Sequence, residues 1–213
     1  YIGRHAKDGI IPHARYWKDD GYKTEYCQPG NWNHVWFILD AAAYLRHTHD
    51  TETIRWMMPL LTGSLEQTLL RRKGSIMHGT EPDWWDFGKA EGGRAYLTIL
   101  TIRALEEYTY LGARIRSDLS RLAGFEAAAA ELRTGLMREL WNEDAGTLLN
   151  MIGTDRDHHI YMGPLLAPVF GAVPGTAGRR IVETVRQHLL DPGVGVRTVA
   201  PADFHTDSVK ALY

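Results

Sequence analysis

The sequence predicts an all-α fold in which helices alternate between an inner and an outer ring, an α/α toroid. Helices that are apolar around most of their circumference alternate with amphipathic helices, as buried and surface helices would. Long segments at about 73–90, 142–159 and 191–207 lead into the apolar helices, whereas short linkers lead into the amphipathic ones. We find no convincing strand pattern. If the inner helices run parallel, the long segments share one rim and can build one site. A solenoid of helical hairpins is the alternative, but no fixed-period repeat supports it.

Each helical element follows from its own pattern of apolar residues. The amphipathic helix that begins near residue 51 has either Asp50 or Thr51 as its N-cap. An apolar segment at about 160–170 is interrupted by Pro164 and Pro168. In chain order, the predicted helices are apolar at about 33–47, amphipathic at 51–72, apolar at 91–112, amphipathic at 117–141 and amphipathic at 176–190.

Composition limits the class of protein. The 213 residues are 44% hydrophobic and 23% charged, with a formal net charge of −2, which is typical of a soluble globular protein. The absence of a basic patch argues against a nucleic-acid partner, and the absence of a long apolar run argues against a membrane span. The single cysteine, Cys27, excludes an internal disulfide framework. Both ends look cut, so we expect residues 1–213 to be a partial domain, truncated at both ends.

The segment 81–89 (EPDWWDFGK) is the strongest candidate for a functional loop. It carries Asp83 and Asp86 with two adjacent tryptophans, Trp84 and Trp85, between them. Flat rings stack on the apolar faces of sugars, and carboxylates bind hydroxyls or move protons, so the segment suits a sugar site. The alternative is structural: the aromatic rings anchor the loop to the core while Asp86 caps the helix that follows.

Polar and aromatic residues also concentrate in the other segments that precede the apolar helices, which supports one shared site. Arg197 either binds a sugar hydroxyl or carboxylate, or forms an ion pair with Asp203 or Asp207. Trp141 is expected to be a core residue at a helix end. Around the start of the helix near residue 33, these residues are Tyr26, Gln28, Asn31, Trp32, Asn33 and His34. Before and at the start of the apolar segment at 160–170, they are Asn150, Asp155, Arg156, Asp157, His158, His159 and Tyr161. In the last part of the chain, they are Arg197, Asp203, Phe204, His205, Thr206 and Asp207.

Four short motifs resemble the six-hairpin glycosidase superfamily, which includes trehalases, processing α-glucosidases, glycogen debranching enzymes and α-L-rhamnosidases. They are residues 8–12 (DGIIP), 84–87 (WWDF), 141–146 (WNEDAG) and 195–201 (GVRTVAP). The resemblance implies an (α/α)6 barrel, of which this chain would hold about half. It also implies a carbohydrate substrate, no cofactor, and inverting hydrolysis by two carboxyl groups.

The resemblance also assigns roles. In trehalase-like members a Trp-Asp-Phe element carries the general acid, so the resemblance assigns that role to Asp86, and Asp83 is the second candidate for it. The base is usually a glutamate late in the barrel, expected beyond Tyr213. The pattern departs from trehalases at Trp84 and Gly88, which leaves the sugar open. The residues expected to bind substrate are Trp32, Asn31, Trp84, Trp85, Arg197 and His205.

Other functions are kept as alternatives. A glycoside phosphorylase on the same barrel would need a phosphate pocket, to which Arg197 and His205 could belong. The remaining alternatives are a polysaccharide lyase or sugar epimerase, and a non-catalytic carbohydrate-binding or scaffold module. No metal is predicted, because Asp155, Asp157, His158 and His159 match no zinc spacing and His47, His49 and Asp50 fit a structural linker.

Overall fold

A computed structural model describes residues 10–12, 14–25, 33–79, 92–117, 119–153 and 158–202. The chain divides into two compact units. The first comprises residues 1–72 and 100–130, and the second comprises residues 73–99 and 131–213. Helices dominate the described residues, and none of these helices is long and apolar enough to cross a membrane.

The first unit contains a hairpin that the sequence analysis did not predict. Strands β1 (Ala14–Lys18) and β2 (Gly21–Glu25) pair antiparallel, with Trp17 opposite Tyr22. Asp19 in the connecting turn has a φ of 59°, which an aspartate tolerates better than most residues.

Helices α1 (Asn33–Thr48) and α2 (Thr51–Leu69) pack against each other in the first unit. The tight connection turns at His49, whose φ is 58°. Asp50 then caps α2, accepting a 3.0 Å hydrogen bond from the backbone N–H of Thr53, which confirms one of the two predicted caps. Helix α2 ends at Leu69, three residues earlier than predicted.

The predicted contrast between apolar and amphipathic helices holds for the helices predicted at 91–112 and 51–72, whereas α1, also predicted to be apolar around most of its circumference, leaves Asp40, Ala43 and Tyr44 exposed. Helix α3 (Ala95–Ile115) buries residues around most of its circumference, whereas α2 buries a stripe and leaves residues such as Trp56 exposed. Helix α4 (Leu119–Leu140) follows α3 after a short linker. In the first unit, Tyr108 of α3 contacts the ring of Phe125 of α4 edge-on, at 5.1 Å between centroids.

In the second unit, helix α3 begins at Ala95 and not near Glu91 as predicted. Residues of β5 (Gly92–Gly93) instead pair with β4 (Ile76–Gly79), which itself pairs with β3 (Arg72–Lys73). Gly92 has a φ of 145°, a conformation that suits glycine and that a helix cannot contain.

The rest of the second unit joins short hairpins to short helices. Strands β6 (Trp141–Asn142) and β7 (Thr147–Leu148) form one hairpin directly after α4. The predicted apolar segment contains β8 (Ile160–Tyr161), a 3-10 turn (Gly163–Leu165) and the four-residue α5 (Leu166–Val169). The last described elements are α6 (Gly175–His188), the hairpin of β9 (Leu190–Asp191) and β10 (Gly195–Val196), and β11 (Val199–Ala200), which pairs with β8.

The expectation that the chain has no strands was therefore wrong. Except for β1, β2 and β4, these strands are two residues long, too short to display an alternating pattern.

Candidate functional site

The hairpin formed by β6 and β7 is shaped by its own side chains. The Oδ1 atom of Asn142 accepts backbone N–H groups from Asp144 and Ala145, each at 3.1 Å. The Gly146 N–H donates to the Asn142 carbonyl at 3.0 Å, and Gly146 has a φ of 65°. Glycine reaches that conformation without cost, so the motif at 141–146 encodes a tight turn.

Trp141, Glu143 and Arg180 form an exposed cluster beside this turn. The Trp141 Nε1–H donates to Glu143 at 2.6 Å, and the Arg180 guanidinium lies 5.2 Å from the Trp141 ring centroid. Arg180 also pairs with the Glu143 carboxylate. Trp141 is only half-buried, so the prediction of a core tryptophan was wrong, although its position at the helix end was right.

These contacts determine the charge state of Glu143. The hydrogen bond from Trp141, followed by that from Arg180, holds the pKa of Glu143 below its usual value. The nearby Glu183 behaves similarly, since hydrogen bonds from Arg186 and Gln187 lower its pKa to about 2. Both groups are carboxylates at neutral pH and are poorly suited to donate a proton.

A cleft made of two adjoining pockets lies beside the β6–β7 hairpin within the second unit, and we call it the hairpin cleft. One pocket, of about 500 Å³, is lined by residues 141–145, 147–150 and 158–161. An adjoining pocket of about 750 Å³ shares Asp144, Ala145, His158 and Ile160 with it. Such volumes are those of small-ligand sites.

Rings line the wall of the hairpin cleft that the segment 158–161 provides. The His158 and His159 ring centroids are 4.2 Å apart, and those of His159 and Tyr161 are 6.1 Å apart. Asn142 and Asn150 add amide groups to the lining. A mixture of rings, amides and imidazoles offers stacking surfaces with hydrogen-bond donors and acceptors, which suits a neutral polyhydroxylated ligand better than a strongly anionic one.

His34 has the most perturbed imidazole in the described part of the chain. It lies in the first turn of α1 with no exposed surface, and neither ring nitrogen has a hydrogen-bond partner among the described residues. Burial, reinforced by the positive charge of Arg71, lowers the pKa of His34 to about 4. The sequence indicated His34 only as one member of a polar segment.

Arg94 is a buried cation that the sequence analysis missed. It is 3% exposed and immediately precedes α3, eight residues after Asp86. Its backbone N–H donates to Met77 and its carbonyl accepts from the Thr98 hydroxyl, at 2.9 Å and 2.6 Å. A side chain at Gly79 would come within 2.6 Å of Arg94 Nε, so Gly79 leaves room for the guanidinium.

Arg197 forms an ion pair, but with a partner that was not predicted. Its guanidinium donates to Asp191 at 2.7 Å across the β9–β10 hairpin, and its backbone N–H donates to Leu189 at 2.9 Å. Arg197 lowers the pKa of Asp191, so the pair is charged. The side chain remains 60% exposed, and its predicted role in substrate binding stays a prediction.

The other predicted site residues lie outside the described residues. These are Asp83, Asp86, Trp32, Asn31, Trp84, Trp85 and His205. Asp203 and Asp207, the expected ion-pair partners of Arg197, lie outside them as well.

Within the described ranges, no group of three or more His, Cys, Asp and Glu side chains could hold a metal ion. Asp155 and Asp157, half of the cluster weighed as a metal site, are outside those ranges.

Similarity to proteins of known structure identifies the fold of the chain. No family model matches the chain. Over 194 residues the chain is 24% identical to N,N'-diacetylchitobiose phosphorylase from Vibrio furnissii, covering 80% of this chain and 24% of that protein. A rhamnosidase from Klebsiella oxytoca with rhamnose bound has a TM-score of 0.68 and 16% identity, over 84% of this chain and 34% of that one. A GH63 mannosylglycerate hydrolase from Thermus thermophilus, in complex with glucose, has a TM-score of 0.65 and 12% identity, over 87% of this chain and 62% of that one.

The fold is that of part of an (α/α)6 barrel. The predicted likeness to the six-hairpin glycosidases is therefore confirmed at the level of the fold. The chain spans about a quarter of the curated relative and about a third of the rhamnosidase.

Proposed function

We propose that this chain is part of a carbohydrate-active enzyme that hydrolyses an oligosaccharide or glycoside with inversion. The observation that carries the proposal is the barrel fold, shared with solved structures of a rhamnosidase and a mannosylglycerate hydrolase. The hairpin cleft supports it, because its rings and amides suit a sugar.

In the proposed mechanism Asp86 donates a proton to the leaving oxygen while a second carboxylate activates water. An inverting pair needs a separation of about 6.5–9.5 Å to admit the water. Asp83 is too close in sequence to guarantee that separation, so the base belongs to another part of the protein. Trp32, Asn31, Trp84, Trp85, Arg197 and His205 are proposed to bind the sugar.

The start of α3 bears on the protonation of Asp86. A helix N-terminus stabilises negative charge chiefly within its first turn. Because α3 begins at Ala95, nine residues after Asp86, its first turn does not include Asp86, and α3 gives no reason to expect a lowered pKa for Asp86. An aromatic environment from Trp84 and Trp85 would raise the pKa, as a proton donor requires.

Phosphorolysis is the second candidate, and one observation favours it: the curated relative at 24% identity is a phosphorylase. In that reaction phosphate replaces water as the nucleophile. Arg197, which was considered for a phosphate pocket, pairs with Asp191.

The test is turnover of rhamnosides, glucosides and N-acetylglucosaminides by the purified full-length protein, with and without inorganic phosphate. Hydrolysis that does not need phosphate, with product of inverted configuration by NMR, is the expected result. Release of a sugar 1-phosphate would assign phosphorolysis instead, and absence of turnover on every class would contradict both.

His159 tests the hairpin cleft as a sugar-binding surface. His159→Ala should raise KM several-fold, because a lost aromatic or hydrogen-bonding contact costs about 1–3 kcal/mol of binding. His47→Ala is the matched control, since His47 is exposed and lines none of these pockets. Unchanged KM in His159→Ala, with activity intact, would remove the cleft from the proposed site.

A further inference from the structure

A pocket of about 570 Å³ in the first unit brings three nitrogen-bearing side chains together without a carboxylate among its lining residues. It lies at the C-terminal ends of α1 and α3, beside the start of α2. Its lining consists of Leu45, Arg46, His49, Thr51, Tyr110 and Arg114.

Arg46 is held in place at this pocket. Its guanidinium lies 4.4 Å from the centroid of the Tyr110 ring and pairs with Glu107, whose side chain is only 4% exposed. Arg103 pairs with the same carboxylate from the neighbouring turn of α3. Arg103 also lies 3.9 Å from the Glu106 carboxylate, so the charges of Arg46 and Arg103 are balanced by Glu106 and Glu107, and any excess of positive charge at the pocket comes from Arg114.

Arg114 adds a second guanidinium at 5.3 Å from the Tyr110 centroid. No carboxylate pairs with it among the residues that the structure describes, although other arginines of this unit have such partners, as Arg121 has in Glu66. Tyr110 therefore carries two guanidinium groups near one ring, and one of them is uncompensated.

We infer that this pocket binds a phosphate group, either inorganic phosphate or the phosphate of a small ester, between Arg46 and Arg114. A planar guanidinium donates two parallel N–H groups to an oxyanion, and an aromatic ring beneath it keeps the fork oriented. The His49 ring and the Thr51 hydroxyl supply further polar groups at the pocket wall.

Some nearby charges oppose an anion. The C-terminal ends of α1 and α3 carry partial negative charge. Asp50, which adjoins His49 and Thr51, is ionised, because hydrogen bonds from Thr53 lower its pKa to about 2. The expected affinity is therefore modest, with a dissociation constant on the order of 1 mM.

None of the residues that line the phosphate pocket is among those proposed to bind sugar or to act in catalysis, and the pocket lies at the opposite end of α1 from His34. Arg46 follows His34 by twelve residues, which corresponds to about 18 Å along a helix. The inference therefore does not depend on the proposed glycosidase activity.

The experiment is a titration of the protein with inorganic phosphate at constant ionic strength, with chloride as the compensating ion. The side-chain Nε–H signals of arginine are followed by NMR. Saturable shifts are expected in the wild type, and Arg114→Gln should weaken binding by about tenfold, the scale of one lost charge-assisted contact. Arg114→Lys keeps the charge but removes the fork, and should give an intermediate loss.

Arg116→Gln is the matched control, because it removes the same charge two residues away and Arg116 does not line the pocket. Its affinity for phosphate should stay close to that of the wild type. Equal weakening in both glutamine variants, or the absence of saturable binding, would overturn the inference. In a parallel titration, tighter binding of a sugar phosphate would identify the ester as the ligand, and equal affinity would identify the inorganic ion.

Discussion

Replacement of Gly135 by alanine should destabilise the protein, although alanine is the better helix former. Gly135 lies within α4, where the change alone would stabilise by about 1 kcal/mol. A Cβ at this position would overlap the Ser75 carbonyl oxygen and would lie 2.5 Å from the Ser75 Cβ and 2.6 Å from its carbonyl carbon. Ser75 is itself tied to α4 by a 2.8 Å hydrogen bond to Glu139, so its backbone cannot move away freely.

Overpacking costs about 1–3 kcal/mol and sometimes more, and a clash with backbone belongs at the upper end. After the helix-propensity gain is subtracted, Gly135→Ala should lose about 2 kcal/mol, which lowers Tm by about 4–8 °C in a domain of this size.

Gly124→Ala is the control in the same helix, since a Cβ at Gly124 meets nothing within 4 Å. It should raise Tm by about 2–4 °C. Thermal unfolding of both variants measures the effect, and a Gly135→Ala protein as stable as the wild type would refute the packing of Ser75 against α4.

Two further stability predictions rest on buried groups. Glu107→Gln should lower the free energy of unfolding by about 1–3 kcal/mol, because it leaves Arg46 and Arg103 without their shared carboxylate. Glu52→Gln, which alters an exposed pair on α2, should change little in the same denaturant titration, and equal losses would contradict the assigned role of Glu107. His34 should make stability fall as the pH drops from 6.5 to about 4, since the unfolded chain gains a proton that the folded chain resists. The loss should approach about 3 kcal/mol, and a His34→Gln variant that keeps the same pH dependence of unfolding would contradict it.

The sequence predicted helices well where the signal is local. The periodic apolar residues of α1 and α2 predicted the starts of both helices within a residue, and Asp50 was one of the two residues predicted to cap α2. The start of α3 was missed because residues 92–93 join a sheet with β4, which is distant in sequence.

The site was less predictable, because it depends on contacts between distant segments. The partner of Arg197 is Asp191, set by a hairpin register that the sequence did not reveal. Trp141 was predicted to be a core residue. Its ring instead contacts the Arg180 guanidinium of α6 and donates a hydrogen bond to Glu143, and these contacts hold it near the surface. The phosphate pocket could not be predicted either, because it forms where Arg46 contacts Tyr110, which lies on another helix 64 residues later in the sequence.

The proposed cleavage of a glycosidic bond with Asp86 as proton donor is tested most directly by Asp86→Asn in the full-length protein. The variant is compared with the wild type on two substrates, an unactivated oligosaccharide and an aryl glycoside with a good leaving group. Loss of general-acid catalysis should lower turnover of the oligosaccharide by about 10²–10⁴-fold. The aryl glycoside scarcely needs protonation, so its turnover should fall much less. Equal losses on both substrates, or near-normal activity on both, would contradict the assignment.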